Sequence, residues 1–308
     1  MSEAPTVSRT EARTGAGTPP RRIGIVVHPS RSIERPLQLL REWSGEHGVA
    51  LVQIPAAYDQ RQVAAEGNAH ESDLIVSIGG DGTTLAALRC AAMVQRPVLG
   101  IACGSLGALA TVAVHDVPRS LERFSNGDWR PRTFPALWLA RGSDEPLFAL
   151  NDVAVVRAGG GQVRVTAYVD GSLYTHTAGD GAVVSTPIGS SGYAISAGGP
   201  LLASGLDGFL FTPLPKHGGF APPLVIGPRS RLRLDIGDGF GGARLEVDGQ
   251  IAGERVRSLT ISLRESVATM VSFEDQETLL AGLRRRRIIL DSPRVSAEDE
   301  EGSADCPV

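Results

Sequence analysis

The pattern of the chain changes near residue 130, and that change restricts the folds open to it. Before it, apolar runs alternate with helix-period segments. RRIGIVVHP (21–29), VALVQIP (49–55), DLIVSIGG (73–80) and PVLGIA (97–102) read as compact buried strands. After the first of them, Ile33, Leu37 and Leu40 share one helical face in a stretch ending near Gly48. Gln60–Asn68 is expected as a short helix and Thr83–Met93 as a longer one. Repeated βα units of this kind predict a parallel sheet flanked by helices, with ligands at the carboxyl ends of its strands.

From about Arg132 to Phe273 strand signals dominate. FPALWLAR, PLFALNDVAVVR, GQVRVTAYVDG, RLRLDIGDG, ARLEVDG, RSLTISLR and SVATMVSF alternate or run apolar between Gly, Pro and Asp turns. Ser190–Ala197 reads as one short helix among them. The expected organisation is a disordered tail (1–20), an α/β, Rossmann-like nucleotide- or phosphate-binding domain (21–130) and a β-rich substrate-binding domain (131–275). A C-terminal segment (276–290) with the helix-like ETLLAGLRRRR then returns to the first domain, and an acidic, disordered tail (291–308) closes the chain.

Composition excludes several classes of function. Hydrophobic residues at 42% and charged residues at 21% describe a soluble chain with room for a core. No apolar run approaches the roughly 18 residues of a membrane span, and the first twenty residues lack a signal-peptide core. A net charge of -4 leaves no basic footprint for nucleic acid. Cys90, Cys103 and Cys306 form no CxxC pair, which fits reduced thiols in a cytoplasmic protein. The 30 basic residues include one lysine, Lys216, a bias expected of a GC-rich genome. Glycine, at 37 residues, is in excess, and its clusters mark where backbone takes unusual torsions or meets a ligand.

Gly79-Gly80-Asp81-Gly82-Thr83 stands directly after the strand DLIVSI and before a helix. Glycines there let N–H groups converge into an anion nest, and the helix N-terminus adds its dipole, so phosphate is the expected guest. Asp81 has no place there as a phosphate ligand. It suits a magnesium partner, or the base that takes a proton from an attacking hydroxyl. A bare Gly-Asp-Gly turn is the alternative. Neither GxGxxG nor GxxxxGKS is present, which excludes a Rossmann fingerprint and a P-loop.

Three further groups carry polar chemistry. Gly179-Asp180-Gly181 opens a block running to Gly198-Gly199-Pro200, in which Asp180 suits a ribose hydroxyl, Ser190 and Ser191 suit purine edges, and Tyr193 offers a ring face. A polar turn, a capped short helix and a core tyrosine are the alternative. Asn151 and Asp152 interrupt the apolar strand ALNDVAVV, so at least one is buried or lines a cleft, unless the pair is a strand-end turn. Lys216-His217-Gly218-Gly219 places a basic pair in a Gly/Pro loop that either meets phosphate or is simply exposed. Asp248-Gly249-Gln250 reads as a turn, Arg284–Arg287 as a solvated helix end, and His28 as structural.

Taken in order, GGDGT, PVLGIACGSLGALA, ALND, GDGAVVSTPIGSSGYAISAGGP, the Pro/His segment and DGQ resemble the NAD kinases from about Ile23 to Arg287. That family shares a superfamily with diacylglycerol and sphingosine kinases and phosphofructokinases. The resemblance implies an α/β amino-terminal domain, a β-rich carboxy-terminal domain and a site between them. It implies transfer of phosphate from ATP to the adenosine-ribose 2′-hydroxyl of NAD, a divalent cation such as Mg2+, and homodimeric or homotetrameric assembly. Carried over by residue, Asp81 is the base, with Gly79, Gly80, Gly82 and Thr83 in the phosphate loop and His217 in the Pro-His pair. Asn151 contacts the adenosine and Asp152 stands where a glutamate is usual. Asp180 serves the ribose and nicotinamide side, and Ser191, Gly192, Tyr193 and Ser196 occupy the adenine pocket.

Four further positions depart from the family pattern. Ala102 and Ala108 replace an asparagine and an aromatic, Ile188 replaces a threonine, and Pro222 stands where an arginine is usual. They fall on the acceptor side rather than the phosphoryl-transfer side. Kinases for another nucleoside or nucleotide, and a nucleotide-binding regulator without catalysis, are the alternatives.

Overall fold

The computed structural model describes residues 19–141, 147–237 and 242–293. The first part contains β1 (Arg22–Val27), α1 (Glu34–Glu46), β2 (Ala50–Gln53), β3 (Leu74–Gly79), α2 (Asp81–Ala92), β4 (Pro97–Ala102) and α3 (Val117–Ser125). β1 pairs in parallel with β2 and β3, and β3 pairs in parallel with β4. The four apolar runs are these four strands. α1 buries Leu37, Leu40 and Trp43 on the stripe read from its spacing.

Gln60–Asn68 is not a helix; a single 3-10 turn, Ala69–Glu71, follows it. Two glutamines, Gln60 and the last residue of β2, Gln53, explain the difference. Gln60 accepts the Val27 N–H through Oε1 and donates to the Ile54 carbonyl, while Gln53 Oε1 accepts the Val63 N–H. Gln53 also donates to the Arg61 carbonyl, so its side chain satisfies backbone groups inside the segment while that of Gln60 is spent on β1 and the residue after β2, and no helical ladder is needed. α3 carries no signal singled out above, although its Val117 and Leu121 are fully buried.

The second part contains β5 (Arg130–Ala140), β6 (Leu147–Ala149), β7 (Asp152–Arg157), β8 (Val163–Val169), β9 (Ser172–Gly179), β10 (Gly181–Ser185) and α4 (Tyr193–Ser196). It continues with β11 (Phe209–Pro213), β12 (Leu224–Ile226), β13 (Arg231–Gly237), β14 (Ala243–Val247), β15 (Gln250–Glu254), β16 (Ser258–Ser272) and α5 (Leu279–Arg285). The second of the two sheets runs β12-β11-β10-β7-β14-β15, antiparallel throughout. The other runs β2-β1-β3-β4-β16-β13-β8-β9, with β5 on β16 and β6 on β5. The long strand β16 pairs in parallel with β4 through Thr269–Pro97 and Met270–Val98. The parallel sheet of the first half therefore continues into the antiparallel sheet of the second.

Between the two sheets lie Leu137, Val153, Val155, Val184, Phe209, Phe211, Leu234, Leu245 and Ile261, all buried. Full burial of one such side chain stabilises by about 1.5–3 kcal/mol. Side chains alternate along each strand, so the outer face of the second sheet carries the residues between these. Ala154 and Val183 lie there, covered by Ala194 of α4 with Leu202, Leu210 and Leu214. Asp152, Arg244 and Glu246 share that outer face by the same parity. Both tails fall largely outside the described residues, as does Cys306. Among the described residues no helix is long and apolar enough to cross a membrane.

Candidate functional site

Asp81 is the first residue of α2, separated from the end of β3 at Gly79 by Gly80 alone. Its carboxylate points at the loop that follows β4. Oδ2 accepts the Ala108 N–H at 2.9 Å, and Oδ1 accepts those of Leu109 and Ala110 at 2.9 and 3.0 Å. Arg286, just past α5, donates to Oδ2 from Nη1 at 3.2 Å. Helix geometry leaves the N–H groups of Asp81, Gly82 and Thr83 without intrahelical partners, since Thr84 makes the first bond, to the Gly80 carbonyl. A side chain at Gly82 would meet no atom within 4 Å, so this turn faces open space.

Arginines surround the same loop. Arg31 donates to the Cys103 carbonyl, Arg285 to that of Leu106 and Arg132 to that of Ala108. Burial lowers the Arg132 guanidinium from its ordinary range, and the Asp81 carboxylate counters part of that shift. His28 accepts the N–H groups of Ser30 and Arg31 through Nδ1, which fixes the turn carrying Arg31. A helix N-terminus rimmed by guanidinium groups attracts a polyanion.

α2 also ties the two halves together. Arg89 of α2 pairs with Asp248, whose side chain is 1% exposed, and donates to the Phe148 carbonyl. Asp248 in turn accepts the N–H groups of Leu150, Asn151 and Asp152, at 3.0, 2.7 and 3.2 Å. The Asn151 and Asp152 backbone is thus set by a carboxylate almost a hundred residues away. Asn151 Oδ1 is buried without a hydrogen-bond partner. Burial, then Asp248, then Glu246 push the Asp152 carboxyl up to about 7.

On the outer face of the second sheet, two adjoining hollows share Asp180, Tyr193 and Leu214. Arg157, Arg244 and Glu246 line one; Ser196, Pro215 and Lys216 line the other. Tyr193 is 42% exposed between them, and burial raises its phenol, with Glu246, Asp180 and Asp152 adding to the shift. Arg157 Nε holds Asp180 Oδ1 at 2.7 Å. Gly181 is at φ +134, where a Cβ would overlap the Val155 carbonyl, so the acidic turn requires glycine there. A ring face among carboxylates suits a nucleoside, whose base stacks and whose sugar hydroxyls donate.

The family model for the ATP-NAD kinase N-terminal domain matches residues 24–129, and that for the ATP-NAD kinase C-terminal domain matches residues 150–273. An NAD kinase of Heliobacterium modesticaldum is 35% identical, over 78% of this chain and 87% of its own. The chain belongs to the NAD kinase family. Its reaction is phosphorylation of NAD, a phosphotransfer to an alcohol group. NAD kinase 1 of Streptomyces avermitilis is 30% identical, over 75% of this chain and 77% of its own. In fold the chain resembles yeast NADH kinase complexed with NADH, with TM-score 0.74, 19% identity and 89% of each chain covered. It also resembles an NAD kinase from Archaeoglobus fulgidus in complex with ATP, with TM-score 0.69, 25% identity, and 87% and 100% covered.

Against the NAD kinase pattern, the residues read from the sequence fall into two groups. Gly79, Gly80, Asp81, Gly82 and Thr83 form the turn into α2, with the Thr83 side chain buried against Gly79. Asn151, Asp152, Asp180, Ser191, Gly192, Tyr193 and Ser196 gather around the second sheet. There Gly192 lies beside Asp152, and the Ser191 and Ser196 hydroxyls donate to the Ile188 and Gly192 carbonyls. His217 is exposed, held by its N–H to the Ala178 carbonyl next to Asp180, and bonds to no residue of the Asp81 loop. The departures are accommodated. Ala108 serves through its backbone, Ile188 packs against the apolar cluster that also takes Leu85 and Phe148, and the Pro222 carbonyl accepts the Tyr174 hydroxyl.

Sequence reasoning missed Arg89, Asp248, Arg132 and Arg286. Arg89 had a faint signal: a cation between the buried Leu88 and Ala91 on an otherwise small, apolar helix. Asp248 is more than a turn, and Arg284–Arg287 is more than a solvated end. Arg284 does pair with exposed Asp291, but Arg285 and Arg286 return to the Asp81 loop.

Proposed function

We propose that this NAD kinase transfers the terminal phosphoryl group of ATP to the 2′-hydroxyl of the adenosine ribose, with Asp81 as the base and the first turn of α2 as the phosphate cradle. The carrying observation is the Asp81 carboxylate at a helix N-terminus, beside unpaired N–H groups and within a rim of arginines. Such a site contributes chiefly by positioning and by stabilising charge, which is what phosphoryl transfer asks of a protein. Asn151, Asp152, Asp180, Ser191, Gly192, Tyr193 and Ser196 bind the acceptor nucleotide, and His217 is assigned a further phosphate contact. Homodimeric or homotetrameric assembly and a cytoplasmic setting belong to the same proposal.

The resemblance also implies a divalent cation. The residues present do not fit a protein-built cage for one: among the described residues no three His, Cys, Asp or Glu side chains converge. Asp81 is fully engaged as well. A magnesium ion accordingly enters with the triphosphate rather than waiting in the protein.

Incubation with ATP and magnesium against NAD, NADH and a panel of nucleosides tests the proposal. NADP and ADP are expected in equal amounts from NAD. A silent NAD reaction beside an active nucleoside one would move the acceptor elsewhere, as Ile188 and the shortened Asp152 would then explain.

A further inference from the structure

Asp81 has no acceptor position left. A carboxylate offers about four lone-pair positions. Here Oδ1 takes the Leu109 and Ala110 N–H groups, and Oδ2 takes the Ala108 N–H and Arg286 Nη1. A base engaged on every side cannot take a proton, so one partner must leave in the reacting state. The three N–H groups belong to one loop, whose carbonyls are held by Arg31, Arg132 and Arg285. A Cβ on Gly107 would overlap the carboxylate, so the loop closes on Asp81 with no room for a side chain between them. Arg286 differs on each count. Its bond is the longest of the four, it stands at the end of a seven-residue helix, and its side chain is 24% exposed.

We infer that Arg286 is an exchangeable partner of Asp81, a step that rests on Asp81 being the base. With the donor site empty, the guanidinium neutralises and covers the carboxylate. When a nucleoside triphosphate binds the cradle, Arg286 moves to the terminal phosphate, whose oxygens match its planar fork and carry more charge. The move bares Oδ2 and delivers positive charge to the group being transferred. In the step that follows, the acceptor hydroxyl oxygen bonds to the γ-phosphorus. The bond from that phosphorus to the β–γ bridging oxygen breaks, its electron pair leaves with ADP, and the hydroxyl proton passes to Oδ2. Arg286 changes partners without gaining or losing a proton. The neighbouring charges are already committed: Arg285 to Glu277 and the Leu106 carbonyl, and Arg132 to the Ala108 carbonyl.

The test is ATP affinity by calorimetry, without NAD, for the full-length wild type, R286Q, R286K, D81N and the D81N/R286Q double variant, with a thermal melt of each. R286Q is expected to weaken ATP binding about tenfold, the scale of one charge-assisted hydrogen bond, and R286K to recover part of it. D81N releases the guanidinium beforehand and is expected to bind ATP about threefold more tightly than wild type. Adding R286Q to D81N should abolish that gain. R284Q, whose parent arginine pairs with exposed Asp291, is expected to bind ATP as wild type does. An R286Q protein with a wild-type melt and wild-type ATP affinity overturns the exchange. So does a folded D81N protein that binds ATP no more tightly than wild type. Turnover is read separately: full activity in D81N would remove Asp81 as the base and leave the affinity comparison standing.

Discussion

Gly107 and Asp81 share one small space: a methyl group on Gly107 would overlap the carboxylate carbon and both oxygens of Asp81. The loop can donate three N–H groups to Asp81 only because residue 107 has no side chain. Gly107→Ala is therefore expected to displace the carboxylate and lower kcat about a hundredfold or more, the scale of a misplaced catalytic group. Steady-state kinetics with a circular dichroism spectrum check this; unchanged kcat would show that the loop contact is dispensable.

Asp248 is nearly sealed from solvent and bonds Arg89 and three N–H groups at once. Asp248→Ala leaves a cation and three donors without their acceptor, a loss of about 3–5 kcal/mol. For a chain of this size that is a fall of roughly 5–8 °C in Tm. Because the same bonds set the Asn151–Asp152 backbone, KM for NAD should rise in whatever fraction folds. Thermal melts and KM measurements at reduced temperature read both effects.

Asp152 makes stability depend on pH. Its folded carboxyl is raised to about 7 by burial and by Asp248 and Glu246, against an ordinary value near 4. Between those two pH values the folded state holds a proton that the unfolded state has lost, so stability falls as pH rises through that window. Asp152→Asn removes the term. Its Tm relative to wild type is expected to be higher at pH 8 than at pH 5, and an equal difference at both would contradict the assignment.

Tyr193 stands half-exposed between the two hollows that share Asp180. Tyr193→Ala should raise KM for NAD about tenfold with a smaller change in KM for ATP, the scale of one lost ring-stacking contact. Tyr193→Phe keeps the ring face and should stay near wild type. Equal losses in both variants would assign the effect to the hydroxyl instead.

The strands and the turn into α2 were legible because their signals are local: apolar runs bounded by glycine, and a helix following GGDGT. Gln60–Asn68 misled because the Gln53 side chain, on β2, takes the Val63 N–H and the Arg61 carbonyl, backbone groups that a helix would pair internally. The site was half legible for a related reason. Asp81, Asp180 and Tyr193 sit in motifs whose order is visible along the chain. Arg89 with Asp248, and Asp81 with Arg286, are ion pairs across 159 and 205 residues, and no periodicity records such contacts. The fusion of the two sheets through β4 and β16 is hidden in the same way, in a parallel pairing between distant strands.

The central claim is that the Asp81 carboxylate takes the acceptor proton, and Asp81→Asn tests it most directly. NADP formation from ATP and NAD is measured across the pH range, alongside ATP binding and a thermal melt. The account predicts a folded protein that still binds ATP and has lost turnover by about a hundredfold or more, in keeping with a missing general base. Turnover within a few-fold of wild type, with an unchanged pH profile, would contradict it.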